Sequence, residues 1–331
     1  MVQDYQYINS KTLKNNYPLP LIPELIDKIG DAKLFTKMDL QWGYNNVRIR
    51  EGDKGKAVFT CHRGAYEPLV MFFGLCNSPA MFQMIMNNIF HDMPAVIVYI
   101  NDILIFTKTE QGHDEIVMEV LHRLKENDLF VKPEKCFFKV QEVEMLGLII
   151  GPDGIKMDSK KVEVIMAWPI STKVKEVQSF LGLANFYRCF INNFSKVAKP
   201  LHELTHKDTE WKWTDKCLDT FEKLKNIFIS QPVLSMVDTT KPLRIESDTS
   251  EYATGAAFSM LQDDSKWHPC AYLSKVFNDT EHNYDVHDKE MMGIMCALEA
   301  WRHYLEGCKH KIEIWTDHHN LEYFMSAKKL N

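Results

Sequence analysis

Hydrophobic and polar positions along the first 150 residues switch between short apolar runs and helical spacing. This interleaving predicts a layered domain of the α/β or α+β class. One helix is predicted from Ala80 to Phe90. Just before it, Ser78 can cap the free N–H groups, and Pro79 fits the first turn, where no N–H donor is needed.

The clearest strand signal is a pair of β-rich runs, Val96–Ile100 and Ile103–Phe106, separated by Asn101 and Asp102. Two such runs joined by two polar residues predict a hairpin with a two-residue turn. The polar pair would then be fixed in space by apolar strands on both sides.

The pattern changes after a turn cluster at Gly151–Gly154, which is a predicted domain boundary. From Lys173 to Ile191 an apolar stripe recurs at helical spacing, with Lys and Arg off the stripe. Strands return near Lys241. Apolar and charged residues alternate from Leu243 to Asp248, and a Gly- and Ala-rich run follows at Thr254–Phe258.

Composition places the chain among ordinary folded proteins, with 331 residues, 25% charged and 45% hydrophobic. It contains no apolar stretch of about 18 residues and no basic and then apolar leader, so neither a membrane span nor a secretory signal is expected. The eight cysteines form no C-x-x-C pair, which argues against a zinc site and a disulfide framework. A reducing compartment is expected, and the numerous histidines are interpreted as surface or hydrogen-bonded groups.

Charge is distributed unevenly. The net charge of -6 argues against a nucleic-acid partner, because phosphate binding relies on clustered Lys and Arg. However, the segment 156–216 has eleven Lys or Arg against seven Asp or Glu. A basic segment inside an acidic chain can still bind a polyanion, although a mixed-charge helical surface gives similar counts by chance.

Two acidic residues stand near predicted strand ends. Asp39 ends an apolar and polar run, and Asp102 follows about sixty residues later in the hairpin segment. On neighbouring strands, two such carboxylates could bind a divalent metal through their oxygens. Spacing alone leaves the alternative of ordinary solvated acids open.

Four motifs carry a resemblance to a known family. They are Tyr17-Pro-Leu-Pro-Leu-Ile, Phe35-Thr-Lys-Met-Asp-Leu-Gln-Trp-Gly-Tyr44, Phe73-Gly-Leu-Cys-Asn-Ser-Pro-Ala-Met-Phe-Gln83 and Tyr99-Ile-Asn-Asp102. In order and interval they closely resemble the reverse transcriptase of gypsy-type LTR retrotransposons, most like the fungal elements. The resemblance continues through Lys132–Cys136, Leu146-Gly147 and Ser179–Arg188 to the end of the chain.

The resemblance implies a right-hand polymerase with partial fingers, a palm and a helical thumb, followed by an RNase H-like α/β domain. We expect partial fingers and palm in 1–150, thumb or connection in 151–235, and a C-terminally truncated RNase H-like domain in 236–331. The family's usual polyprotein also carries a protease and an integrase. An intracellular location is expected, either cytoplasmic in a virus-like particle or nuclear.

In the family, Asp39 and the acids of a Tyr-x-Asp-Asp turn bind two Mg²⁺ ions, for which Mn²⁺ can substitute. The resemblance implies that Tyr44 excludes ribonucleotides, that Phe73 and Gly74 line the nucleotide pocket, and that Lys135 lies near the triphosphate. It also implies a primer grip at Leu146 and Gly147. Without the motifs, Tyr44 and Phe73 would be interpreted as core aromatics.

Asn101 departs from the family because it stands where the first Asp of the turn belongs. An amide keeps one carbonyl oxygen but loses the negative charge that Mg²⁺ favours, so an impaired polymerase centre is expected. The helix-to-Tyr99 link is shorter than the family's, and the chain begins within the fingers without their upstream basic residues. A fragment or a decayed copy is therefore a further hypothesis.

A second carboxylate set lies towards the C-terminus. Asp248 ends a strand, Asp317 closes the run Ile312–Thr316, and Glu290 lies at the edge of a helical apolar stripe that includes Met295. By pattern alone these are three solvated acids. In their sequence context they resemble the metal-binding residues of RNase H, whose fourth Asp would fall beyond Asn331. Two metals bound by three carboxylates predict low or absent nuclease activity.

Three hypotheses follow. The first is an RNA-directed DNA polymerase with RNase H, whose partners are an RNA template, a DNA primer, dNTPs and the RNA-DNA hybrid. The second is a catalytically silent nucleic-acid-binding remnant that contacts duplex phosphates through the basic segment. The third is an inert fragment that exposes core surface.

Overall fold

The computed structural model describes residues 4–207, 209–230 and 232–317. The chain divides into two compact units, the first formed by Met1–Leu146 with Ile150–Pro152 and the second by Gly147–Ile149 with Asp153–Asn331. The last part of the predicted RNase H-like domain, 318–331, lies outside the described residues. No helix among the described residues is both long and apolar enough to cross a bilayer.

The first unit is a mixed α and β layer. Its helices and strands are α1 (Gln6–Lys11), α2 (Ile22–Ile29), β1 (Leu34–Asp39), β2 (Phe59–Cys61), β3 (Gly64–Tyr66), α3 (Ser78–Phe90), β4 (Val96–Tyr99), β5 (Asp102–Thr107), α4 (His113–Glu126), β6 (Phe137–Val140) and β7 (Val143–Met145). A strand, β8 (Leu148–Gly151), follows where the chain passes between the units.

The core of the first unit lies between its sheet and its two longest helices. The sheet is antiparallel in the order β4-β5-β1-β6. Phe35 and Met38 on β1 are both fully buried, so apolar residues cover both faces of this central strand. Phe82 and Met86 of α3 pack in the same core as Met38. The central strands β1 and β5 are therefore buried, whereas the edge strand β6 is largely exposed.

The predicted hairpin is present, but its turn lies one residue earlier than expected. Tyr99 pairs directly with Asp102, so the turn residues are Ile100 and Asn101, and Asp102 begins β5. On its other side, the turn also contacts the residue after β1. The Leu40 N–H donates to the Asn101 carbonyl at 2.9 Å, one position beyond the Asp39–Asp102 pair of the β1–β5 ladder. Ile100 takes a positive φ of 52°, which is unfavourable for a β-branched residue.

The predicted cap of α3 is also wrong. The helix begins at Ser78 itself, with Asn77 in the capping position and no side-chain capping bond. The Ser78 hydroxyl donates instead to the Phe72 carbonyl at 3.2 Å. Ser78 therefore fastens the preceding loop to the helix, while Pro79 lies in the first turn as predicted.

The second unit joins a group of helices to a four-stranded sheet. Its elements are β9 (Gly154–Met157), α5 (Ser159–Met166), α6 (Val174–Phe186), α7 (Phe194–Glu203), α8 (Asp215–Ile229), β10 (Leu243–Thr249), β11 (Ala253–Leu261), β12 (Trp267–Val276), α9 (Val286–Ala300), α10 (Arg302–Leu305) and β13 (Glu313–Thr316). The sheet order is β12-β11-β10-β13, and only the β10–β13 pair of this sheet is parallel.

The alternation predicted for β10 is confirmed. Leu243 and Ile245 are buried against α9 and α10, whereas Glu246 and Asp248 are exposed on the other face. The predicted basic helix is also present, although it ends at Phe186 rather than at Ile191.

The predicted apolar stripe that begins on α9 is buried at Ile294, Trp301 and Leu305, but Met295 departs from it. Met295 is 57% exposed, and the buried face carries Glu290, Gly293, Ile294 and Ala297. The small residues let the helix approach the sheet closely. A Cβ at Gly293 would lie 2.4 Å from the Thr254 hydroxyl oxygen. Glu290, expected at the edge of the stripe, is therefore buried at the centre of this contact.

A buried histidine links two strands of the first unit. His113 is fully buried, with Nε2 2.8 Å from Oγ1 of Thr36 and Nδ1 2.8 Å from Oγ1 of Thr107. Burial lowers the pKa of His113 below its usual 6.5, and the positive charge of Lys139 also lowers it, whereas the negative charges of Asp114 and Glu110 oppose the effect.

We expect the first unit to lose stability as the pH falls below about 6.5, since the unfolded state then binds a proton that the folded state resists. His113→Gln should flatten this acid-side slope, because glutamine does not titrate. Urea unfolding at pH 7.5 and 5.5 measures it. His62→Gln, at an exposed histidine, is the control, and an unchanged slope in His113→Gln would contradict the prediction.

Candidate active sites

Asp39 and Asp102 face each other across two strands. They are direct register partners in the β1–β5 ladder, an arrangement that brings side chains on one face to about 5 Å at Cβ. Each carboxylate has its own ammonium group. Lys135 Nζ lies 3.5 Å from Asp39 Oδ2, and Lys37 Nζ lies 3.5 Å from Asp102 Oδ1. The two lysines offset the repulsion between the two acids.

The hairpin turn beside these acids is fastened by Gln83, a fully buried residue of α3. Its Nε2 donates to the Val98 carbonyl at 3.0 Å, and its Oε1 accepts from Ile100 N–H at 2.8 Å. One amide side chain thus fixes both sides of the turn. Sequence reasoning assigned no role to Gln83, although a polar residue next to Phe82 on a helix predicted to pack in the core was an available signal.

Asn101 directs its side-chain oxygen inward. Its Oδ1 is buried and has no hydrogen-bond partner among the described residues. A Cβ at Gly43 would lie 2.3 Å from this oxygen and 2.8 Å from the Phe82 ring, so only glycine leaves room for it. A buried acceptor without a partner costs about 1–3 kcal/mol, and such groups commonly mark functional sites.

The residues of this site suit a hard divalent cation. The carboxylates of Asp39 and Asp102 are the oxygen donors that Mg²⁺ prefers, and Asn101, next to Asp102 in the chain, carries an amide oxygen directed towards Gly43 and Phe82. The site provides one negative charge fewer than three carboxylates would.

The three residues predicted to form a nucleotide pocket lie near one another. Tyr44 is 5% exposed and Phe73 is 67% exposed, and their ring centroids are 4.8 Å apart in an edge-to-face arrangement. Gly74 has φ 103°, and its carbonyl accepts from the Asn9 amide at 2.8 Å. Tyr44 also packs edge-to-face on Phe82. Tyr44 is therefore a core aromatic residue, whereas Phe73 presents its ring to solvent.

The predicted primer-grip residues form a tight turn between β7 and β8. Leu146 and Gly147 both have positive φ, at 54° and 80°. The Gly147 carbonyl accepts from the Tyr187 hydroxyl at 2.9 Å. A side chain at Gly147 would meet that hydroxyl at 3.0 Å, so glycine is required for both conformation and space.

In the second unit, Asp248 and Asp317 line one cleft of about 370 Å³ with Gly255 and Trp315. Glu290 is not part of the lining. Trp315 is held in place by Arg244, whose guanidinium lies 3.7 Å from the ring centroid and donates to Glu313 at 2.8 Å. The cleft thus brings together two of the three predicted acids beside an exposed indole.

Glu290 lies beneath the sheet and is 4% exposed. The Thr316 hydroxyl donates to its Oε2 at 3.4 Å. Burial, together with the negative charge of Asp317, raises the pKa of Glu290 to about 7. The neighbouring Ser247 hydroxyl is buried without a partner. The carboxylates of Asp248 and Asp317 are oxygen donors that suit a hard cation in the cleft, whereas Glu290 lies outside its lining and is about half protonated near pH 7.

The three acids are not tightly clustered. Among the described residues, the only three Asp, Glu, His or Cys side chains with all ligand atoms within 4.8 Å of one another are Asp285, His287 and Asp288, which are exposed at the start of α9. Asp248, Glu290 and Asp317 therefore have more open spacing. The histidines His318 and His319 lie outside the described residues.

The two units together have the architecture of a right-hand polymerase palm and helical thumb followed by an RNase H-like domain. Residues 1–150 match the family described as reverse transcriptase (RNA-dependent DNA polymerase). Residues 213–314 match the RNase H-like domain found in reverse transcriptase. Asp248 and Glu290 fall within the second match, and Asp317 lies just beyond it.

Curated relatives include the Transposon Tf2-3 and Tf2-4 polyproteins of Schizosaccharomyces pombe, each 39% identical over 323 residues. These matches cover 97% of this chain and 24% of each polyprotein, so the chain spans about a quarter of the relatives' length. The chain belongs to the reverse transcriptases with RNase H-like domains of gypsy-type LTR retrotransposon polyproteins.

Solved structures support the fold. The foamy viral protease-reverse transcriptase in complex with dsDNA matches with a TM-score of 0.83 and 25% identity, covering 99% of this chain and 68% of that chain. The same viral protein in complex with an RNA/DNA hybrid matches with a TM-score of 0.80 and 24% identity, covering 99% and 45%. The two matched families, reverse transcriptase and the RNase H-like domain, generally use divalent metals.

We expect Glu290→Gln to stabilise the metal-free second unit at pH 8 by up to about 3 kcal/mol, because the buried carboxylate must ionise there. A raised pKa in the folded state means that stability is lost as the pH rises from 4.5 towards 7, so the gain should vanish near pH 4.5. Denaturant unfolding in EDTA measures it.

Glu299→Gln is the matched control, since Glu299 is an exposed residue of the same helix. A gain that is equal at pH 4.5 and pH 8 would show that ionisation of Glu290 is not its cause.

Proposed function

We propose that this chain is the polymerase and RNase H portion of a retrotransposon polyprotein. It copies an RNA template into DNA from a DNA primer and dNTPs, and it cleaves the RNA of the RNA-DNA hybrid. The observation that carries the proposal is the direct register of Asp39 with Asp102 beside the inward-facing amide of Asn101.

In the polymerase centre, Asp39 and Asp102 would hold Mg²⁺, two ions per centre, with Mn²⁺ as a substitute. Bound metal lowers the pKa of the primer 3′-hydroxyl and offsets charge on the leaving pyrophosphate. Lys135, whose side chain is 58% exposed, would offer its ammonium group to the triphosphate. Asn101 contributes only a neutral oxygen.

The incoming nucleotide would rest against Tyr44 and Phe73. Because Phe82 supports Tyr44 from the side, the Tyr44 ring has little freedom to move away from a ribose 2′-hydroxyl. Gly74 would let the backbone approach the nucleotide, and Leu146 with Gly147 would position the primer strand. The edge-to-face contact of Tyr44 with Phe73 supports the roles of these two rings.

In the nuclease centre, Asp248, Glu290 and Asp317 would hold the metal that activates water against the RNA phosphodiester. Glu290 must first lose its proton, and its pKa of about 7 places that step within the physiological range. We propose weak nuclease activity near neutral pH for this reason.

Partners beyond the nucleic acids would be the other polyprotein products, a protease and an integrase, in a cytoplasmic particle or the nucleus. The foamy viral relatives bind dsDNA and an RNA/DNA hybrid, and the basic segment 156–216 provides positive charge for similar contacts. A second candidate function is a catalytically silent nucleic-acid binder. Asn101 favours it, since one metal-binding charge is missing.

Asn101→Asp should raise primer extension on an RNA template by about 10³-fold in Mg²⁺, because it restores a charged metal ligand. Asp39→Ala should abolish extension in both forms. The measurement is single-nucleotide incorporation in Mg²⁺ and then in Mn²⁺. Asp31→Ala, which breaks only an exposed ion pair with Lys108, is the control.

Equal extension by the parent chain and Asn101→Asp would contradict the predicted impairment. Silence in both forms, with salt-dependent duplex binding retained, would favour the silent binder.

A further inference from the structure

Asn193 stands at the N-terminus of α7 with an unusual use of its side chain. Its φ of 54° is left-handed, a conformation that Asn tolerates better than most residues. At the capping position, an Asn side chain ordinarily accepts a hydrogen bond from the first turn of its helix. Here no such bond forms. Instead, Asn193 Nδ2 donates to Asp248 Oδ2 at 3.0 Å.

The opposite end of the Asn193 amide lies over Gly255. A Cβ at Gly255 would lie 1.9 Å from Asn193 Oδ1, so any larger residue would displace the amide. Gly255 is also the direct register partner of Asp248 in the β10–β11 ladder. A single amide thus spans both residues of one cross-strand pair, donating to the carboxylate and resting on the glycine.

The segment that carries Asn193 is also hydrogen-bonded to β12, at the strand position directly beside Gly255. Ser274 on β12 is the register partner of Gly255. Its hydroxyl accepts from the backbone N–H of Ser195 at 2.9 Å, and its carbonyl accepts from the guanidinium of Arg188. Asp248, Gly255 and Ser274 therefore form one row across three strands, and residues 188–195 cover that row.

We propose that Asn193 is a positioning residue of the nuclease centre, an inference that rests on the proposed RNase H function. By holding Oδ2, the amide fixes the rotamer of the Asp248 carboxylate and leaves Oδ1 for the cation in the cleft shared with Asp317. A neutral donor suits this role, because it orients the carboxylate without cancelling the charge that attracts the metal. Partners that orient a ligand in this way typically contribute 10–100-fold to metal affinity or activity.

Asn193→Gly is the informative substitution, because glycine accepts the left-handed backbone and is tolerated at a helix start. The readout is Mn²⁺-dependent broadening of the Trp315 signal in the full chain labelled with 5-fluorotryptophan, since Trp315 lines the same cleft. Trp315→Phe assigns the signal. Loss of the broadening in Asp317→Ala places the metal in this cleft.

We expect Asn193→Gly to raise the Mn²⁺ concentration for half-maximal broadening about 10-fold. Hybrid cleavage should lose kcat to a similar extent, with KM for the hybrid unchanged. Asn226→Ala, at an exposed helical asparagine of α8, should match the parent chain. A midpoint for Asn193→Gly within twofold of the parent would overturn the proposal.

If the parent chain shows no broadening at Trp315, the proposed RNase H function fails. A test without metal then shows whether Asn193 and Asp248 interact. Thermal midpoints of Asn193→Gly, Asp248→Ala and the double variant form a cycle. Non-additive shifts of a few degrees support the tie between Asn193 and Asp248. Additive shifts would show that the two side chains do not interact and would overturn the positioning role of Asn193.

Discussion

The β1–β5 ladder imposes the constraint on which the first unit depends. The antiparallel register that packs Phe35 and Met38 into the core also sets Asp39 opposite Asp102, since a shifted register would re-pair every buried side chain of β1. Burial of the strand therefore holds two like charges together. The free energy of the core, rather than any attraction between the acids, maintains their proximity.

Both centres solve the same packing problem with glycine. Gly43 makes room for the Asn101 amide, and Gly255 makes room for the Asn193 amide. In each case a polar side chain enters a space that a Cβ would fill, next to a carboxylate at the end of a strand. Gly293 does the same for the hydroxyls beneath α9. Polar atoms reach these positions because the glycines have no Cβ to occupy the space.

Local patterns in the sequence predicted much of this arrangement. Alternation located β10 and its exposed Asp248, and the apolar runs located β4 and β5, because period and burial are properties of a few adjacent residues. The turn was misplaced because pairing of Tyr99 with Asp102 depends on contacts of Asn101 and Ile100 with distant residues. The pattern of polar residues near the turn does not indicate these long-range contacts.

The burial of Glu290 and the role of Asn193 were not predictable for a related reason. Glu290 is buried because the small residues Gly293 and Ala297 let α9 approach the sheet closely. A helical wheel that ranks residues by hydrophobicity finds buried Ile294 but not buried Glu290. Asn193 reaches Asp248 across 55 residues of sequence. Only a folded chain shows which strand a loop covers.

The charges around the polymerase site give Asn101 a physical context. Two carboxylates face two ammonium groups, from Lys37 and Lys135, so the charged side chains balance without a cation. An aspartate at position 101 would add a third negative charge and a buried carboxylate that needs a cation to offset it. The asparagine removes that requirement while it keeps the shape of the turn. An asparagine at this position therefore leaves the charged groups of the site balanced, with Lys37 against Asp102 and Lys135 against Asp39.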